Sequence, residues 1–151
     1  MRPGTLAETV RKAHVRGDWR DPLAEFLDGF YVADPVDRAW RIARDPGTVG
    51  DAVGDAYLGA VGEHLARRWD LPVPGWVRDP SRYLEVPRFE PDVPALRDYL
   101  LRFSPVAFRS RLLFVGAEPL QRKGFSPGSD VERWLRRRRT GWDRVATGEN
   151  P

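Results

Sequence analysis

TVGDAVGDAYLGAVGEHLARRW, residues 48–69, decides the fold. Val49, Val53, Ala56, Tyr57, Ala60, Val61, His64, Leu65 and Trp69 recur at i, i+3, i+4 and i+7, the period of a helix with one buried face. Gly50, Gly54, Gly59 and Gly62 interrupt it, each weakening a helix by up to about 1 kcal/mol relative to Ala. Small residues at that spacing let another helix approach closely, which would offset the loss. Leu71-Pro72-Val73-Pro74-Gly75 ends the segment, because proline lacks the amide hydrogen and disfavours helical geometry in the residue before it.

Upstream, Thr5 and Glu8 have the spacing of a capping box, and Leu6, Val10 and Ala13 follow at helical intervals until Gly17. A second helix is predicted over Asp21–Ala33, with Pro22 in its first turn and Leu23, Phe26, Leu27, Phe30 and Tyr31 on one face. Asp34-Pro35 restarts the chain into a short third helix bearing Val36, Ala39, Trp40 and Ala43, and Asp45-Pro46-Gly47 reads as a turn. Downstream, a short helix is predicted near 79–84, then extended chain punctuated by Pro87, Pro91 and Pro94. A helix over 94–103 presents Leu96, Tyr99, Leu100 and Phe103, and Ser104-Pro105 starts another with Val106, Ala107 and Phe108. Arg111 to Val115 fits either a strand or the end of that helix.

These elements predict a mostly α fold: a compact single-domain helical bundle with a proline-rich irregular segment in the middle and a basic C-terminal helix. Helices 21–33, 48–69 and 94–108 are expected to form the core, with the LPVPGW turn packed across them. The expected organisation is a core domain over 1–125, a basic helix over 126–145 and a disordered tail over 146–151.

A chain of 151 residues fits one domain and needs no covalent staple. It has no Cys, which removes disulfides and thiolate chemistry. No apolar run follows Met1-Arg2 and no segment has the length of a membrane span, so a cytoplasmic protein is expected. Residues 1–96 carry 13 basic and 16 acidic side chains, whereas 97–144 carry 12 and 5, so the C-terminal third is the cationic end.

The block 69–115 sets Trp69, Trp76, Tyr83, Phe89, Tyr99, Phe103, Phe108 and Phe114 among prolines and arginines. It contains no nucleophile–base pair, no metal-ligand spacing and no phosphate loop. Interface anchors are enriched in Trp, Tyr and Arg, so Trp76, Tyr83, Arg109 and Arg111 are the predicted partner contacts. Arg109 and Arg111 read equally as structural donors to helix-end carbonyls. Arg133 and the run Arg136, Arg137, Arg138 and Arg139 form a second candidate, a nucleic-acid-binding helix that requires solvent or an acidic partner on every side. His64 beside Glu63 reads as a general base or metal ligand, or as a hydrogen-bonded histidine at the edge of the core. Asp51 and Asp55 read as a Mg²⁺ pair, or as acids favoured by a helix N-terminus. Ser104 and Ser110 have no nearby base. No catalytic residue, metal or cofactor is expected.

Three pieces in order carry a family likeness: YLGAVGEHLARRWDLPVPGW (57–76), DPSRYLEVPRF (79–89) and LRDYLLRFSPVAFRSRLLFV (96–115). They resemble small bacterial proteins of antitoxin-like or helix-turn-helix-regulator type encoded beside nucleotidyltransferase-type toxins. Arg88 stands where tryptophan is usual, and residues 1–48 do not read as the helix-turn-helix that many relatives carry. The resemblance implies a non-enzymatic binding protein, partner to such a toxin. The alternative is a transcriptional regulator that binds nucleic acid through the arginine-rich helix.

Overall fold

Helix α4 (Ala52–Arg68) is the axis of the computed structural model, which describes residues 1–122. Asp51 caps it, three residues into the stretch 48–69: one carboxylate oxygen accepts from the amide of Val53 and the other from Trp19 Nε1 at 3.0 Å. The acid at this position therefore closes a helix end and anchors an indole.

Helices α1 (Leu6–Arg16), α2 (Arg20–Val32) and α3 (Pro35–Ala43) precede it. Thr5 caps α1 by accepting from the amide of Glu8, and Gly17 ends it at φ 70°, where a side chain would be strained. The Glu8 carboxylate returns to the amide of Gly4 instead of Thr5, so the box is closed one residue early. Two 3₁₀ turns, Gly75–Arg78 and Pro80–Arg82, replace the helix expected near 79–84, and both lie on α4. Helices α5 (Arg97–Phe103) and α6 (Val106–Arg109) follow. Leu113–Phe114 forms a short strand, β2, parallel to β1 (Arg88–Phe89), with Phe89 stacked on Phe114 at 5.0 Å.

The fold is mostly helical, but its apolar residues divide into two clusters. The main core joins α1, α2, α4 and α6 with Trp76 and Val77. Leu96, Tyr99, Leu100 and Phe114 form a separate small cluster, so α5 belongs to a satellite rather than to the expected core over 94–108. Ser104 fastens that satellite. Its Oγ donates to the Leu100 carbonyl at 2.6 Å and accepts from the amides of Val115 at 2.8 Å and Gly116 at 3.1 Å. Ser104→Ala removes the acceptor for both amides and is expected to lower stability by about 1–2 kcal/mol, measured by urea denaturation.

Helix α3 is inverted with respect to its apolar residues. Ile42 is buried, while Val36 and Trp40 face solvent. Arg38 takes the inward side, donating to the carbonyls of Phe30 and Tyr31 and lying 4.1 Å from the centre of the Trp69 ring. The C-terminal carbonyls of α2 need donors, and that demand outweighs burial of one indole. The expected basic helix over 126–145 and the tail 146–151 lie outside the described residues, as do Arg133, Arg136, Arg137, Arg138 and Arg139.

Candidate protein-contact surface

Asp55, Gly59 and Glu63 stand one turn apart on α4 and present acid, gap and acid along one face. Two arginines enter that face from the irregular half of the chain. Arg111 is fully buried. Its Nη1 donates to Glu63 Oε1 at 3.1 Å and to the Ala107 carbonyl at 2.7 Å, and its Nη2 donates to the Val77 carbonyl at 2.6 Å. Arg82 is buried beside it, donating to Asp45 Oδ1 at 3.2 Å and the Gly47 carbonyl at 2.8 Å, with Nη1 3.9 Å from Asp55 Oδ1. Gly59 makes room for both: a Cβ there would sit 2.7 Å from Arg82 Cβ and 3.0 Å from Arg111 Nε.

Arg111 is thus a clasp joining α4, α6 and the first 3₁₀ turn, and its prediction as a partner contact is corrected: no part of it reaches the surface. Trp76 is corrected too, since all but about a tenth of it is buried. Its ring lies against Gly62, and its Nε1 donates to the buried carbonyl of Ile42 at 3.0 Å. Tyr83 divides its ring between two roles, covering the Arg111 guanidinium at 4.6 Å while remaining 37% exposed. Its outer side forms one wall of an open groove of about 740 Å³, completed by Val53, Asp55, Leu84, Val86 and Arg88. Arg109 is exposed, and no described residue holds its guanidinium.

Around Arg109 lies a surface the sequence reading missed. Leu101, Phe103 and Val106 are all exposed, Val106 by 59%, with Arg102 and Arg109 between and beside them. The signal was present in the doubled Leu100-Leu101 and in Phe103-Ser104-Pro105-Val106. A seven-residue helix followed by a four-residue helix buries only one side of each, and Leu100, Ala107 and Phe108 already fill that side.

No protein-family model matches the chain, and the comparisons with curated proteins and with solved structures found no match.

Glu63 and His64 are neighbours in sequence with separate surroundings. Burial pushes the Glu63 carboxyl up, but hydrogen bonds from Arg67 and Arg111 and their charges outweigh it and hold it below the ordinary 4.5. The His64 ring meets the edge of Phe108 at 5.8 Å, and burial followed by the charge of Arg68 holds it below the ordinary 6.5. Asp55 accepts from the amide of Val49 at 2.7 Å, so it secures the approach to α4. Among the described residues no group of three or more His, Asp or Glu could hold a metal ion, and no helix is long and apolar enough to cross a membrane.

These two groups give stability an acid limb in two stages. The unfolded chain takes up a proton on His64 near pH 6.5, more readily than the folded chain, so stability falls from there downward to the depressed folded value. Glu63, together with Glu25, Asp18, Asp28 and Asp79, whose carboxyls hydrogen bonds also hold low, contributes stability that disappears as pH falls through the lower folded values. Urea midpoints between pH 7.5 and 3 are expected to show both stages, and His64→Gln is expected to remove the first alone.

Proposed function

We propose that the protein is a non-enzymatic binding partner that acts through exposed side chains of α5 and α6, with Leu101, Phe103, Val106 and Arg109 as its contacts and Tyr83 as a further one. The observation that supports this reading is that three large apolar side chains of α5–α6 are exposed, with Val106 one turn from Arg109, an arginine with no described partner. Apolar anchors with guanidinium groups at their edge suit an acidic, partly apolar protein surface. The likeness over 57–115 suggests the role: an antitoxin-like protein held against a nucleotidyltransferase-type toxin encoded beside it.

The test is co-purification of the tagged protein with the product of the neighbouring gene, wild type beside a V106E/R109E variant. Capture is expected from the wild type and is expected to fall at least about tenfold in the variant, with its melting temperature unchanged. Absence of any complex, or equal capture by both, contradicts the proposal.

A second reading has one observation in its favour. Residues 1–122 carry equal numbers of basic and acidic side chains, so the whole net charge of +3 belongs to 123–151, with Arg133 and Arg136 to Arg139. A nucleic-acid contact made there would weaken steeply as salt rises. No shift of duplex or single-stranded DNA or RNA at low salt ends that reading.

A further inference from the structure

Helix α3 turns an organised face to solvent. Val36, Asp37, Trp40, Ala43 and Arg44 are all exposed, Val36 by 86% and Trp40 by 63%. At 100° per residue they share one arc of the helix, opposite Arg38 and Ile42. Val36, Trp40 and Ala43 form the apolar centre of that arc. Asp37 lies on its flank near the N-terminal end, and Arg44 lies on the same flank at the other end. Neither charge has an ion pair among the described residues, and no aromatic ring meets Trp40 there.

We infer that this face binds a second copy of the chain, with the two α3 helices antiparallel about Trp40. The placement of the charges selects this occupant. A two-fold axis across the helices keeps the flank on the same side and reverses its direction, so Asp37 of each copy meets Arg44 of the other. The midpoint between 37 and 44 falls beside Trp40, so the two indoles meet where both ion pairs close. A parallel two-fold would put the two flanks on opposite sides of the seam, so neither charge would meet an opposite one. One face of a nine-residue helix offers less than the roughly 800 Å² per partner of a stable interface. The dimer therefore forms at high concentration, on the order of 100 µM.

Sedimentation equilibrium of the full chain between about 5 µM and 1 mM tests this, with circular dichroism to confirm that each variant is folded. The wild type is expected to pass from monomer to dimer across that range, and W40D is expected to stay monomeric. D37R alone and R44D alone are each expected to weaken the dimer about tenfold, and the double variant D37R/R44D to restore it to within about threefold. V106E/R109E, on the α5–α6 face, is expected to dimerise as the wild type does. A wild type that remains monomeric to 1 mM, a dimer that survives W40D, a dimer lost in V106E/R109E, or a double variant no tighter than the singles overturns the inference.

Discussion

Replacing Arg111 with methionine is expected to lower the unfolding free energy by about 3–5 kcal/mol, the range for removing one member of a buried ion pair. Methionine fills much of the volume but supplies no donor. Glu63 would keep only Arg67, a half-exposed neighbour at 3.0 Å, and the carbonyls of Val77 and Ala107 would lose their guanidinium donors. Each unsatisfied buried acceptor adds to the loss. Lysine is expected to rescue little, since one ammonium cannot reach a carboxylate and two carbonyls in three directions as the planar guanidinium does. Two residues away, Arg109→Ala is expected to change stability by less than about 0.5 kcal/mol, because that side chain is exposed. Urea denaturation of the three variants beside the wild type gives the comparison. A loss at Arg111 no larger than that at Arg109 would be incompatible with the clasp.

Gly62→Ala is expected to destabilise by about 2–3 kcal/mol, although alanine is the better helix former. The gain in helix propensity is at most about 1 kcal/mol. Against it, the new Cβ would lie 2.8 Å from two ring carbons of Trp76 and 2.9 Å from Val77 Cγ1. Overpacking of this kind costs about 1–3 kcal/mol where neighbours must shift, and more where they cannot. The indole has little freedom to retreat, since its Nε1 is bonded to the Ile42 carbonyl at 3.0 Å and Arg82 lies over its ring at 4.9 Å. Tryptophan fluorescence followed through the urea transition measures the loss. A stability equal to or above that of the wild type would mean that Trp76 does not rest on α4 as described.

The glycines of α4 show what was legible in the sequence and what was not. Their spacing announced a close approach, and the apolar period placed the helix end within a residue and its start one turn too early. What approaches Gly59 and Gly62 is not another helix but Trp76, Val77, Arg82 and Arg111, delivered by proline-broken chain, while Gly54 meets Val49 and Trp19. Helical periodicity carries no information about such a segment, so its side chains could not be assigned to inside or outside. Burial of two arginines also runs against their ordinary preference for the surface. A clue existed in Asp55 and Glu63, one turn either side of Gly59 on a face otherwise apolar. Buried carboxylates require cations, and here Arg82 and Arg111 from the downstream segment supply them.

Residues 35–44 teach the complementary lesson. A nine-residue helix has too few turns for its own pattern to choose a buried face. The choice came from α2, whose last carbonyls drew Arg38 inward and left Trp40 outside. At α5 and α6 the same uncertainty hid the candidate contact surface: Phe103 was read as core because it falls at i+4 from Tyr99, yet its neighbours Leu101 and Val106 are exposed with it. Trp76 and Arg111 had the composition of an interface; instead Arg111 ties α6 to α4, and Trp76 seats the first 3₁₀ turn on α4.

A double-mutant cycle between Glu63 and Arg111, using E63Q, R111M and the pair together, tests most directly whether this guanidinium is engaged inside the molecule. A coupling of about 2 kcal/mol or more is expected, with the double variant much less damaged than the sum of the singles. Losses that simply add, with a coupling below about 0.3 kcal/mol, would contradict the account and return Arg111 to the list of surface contacts.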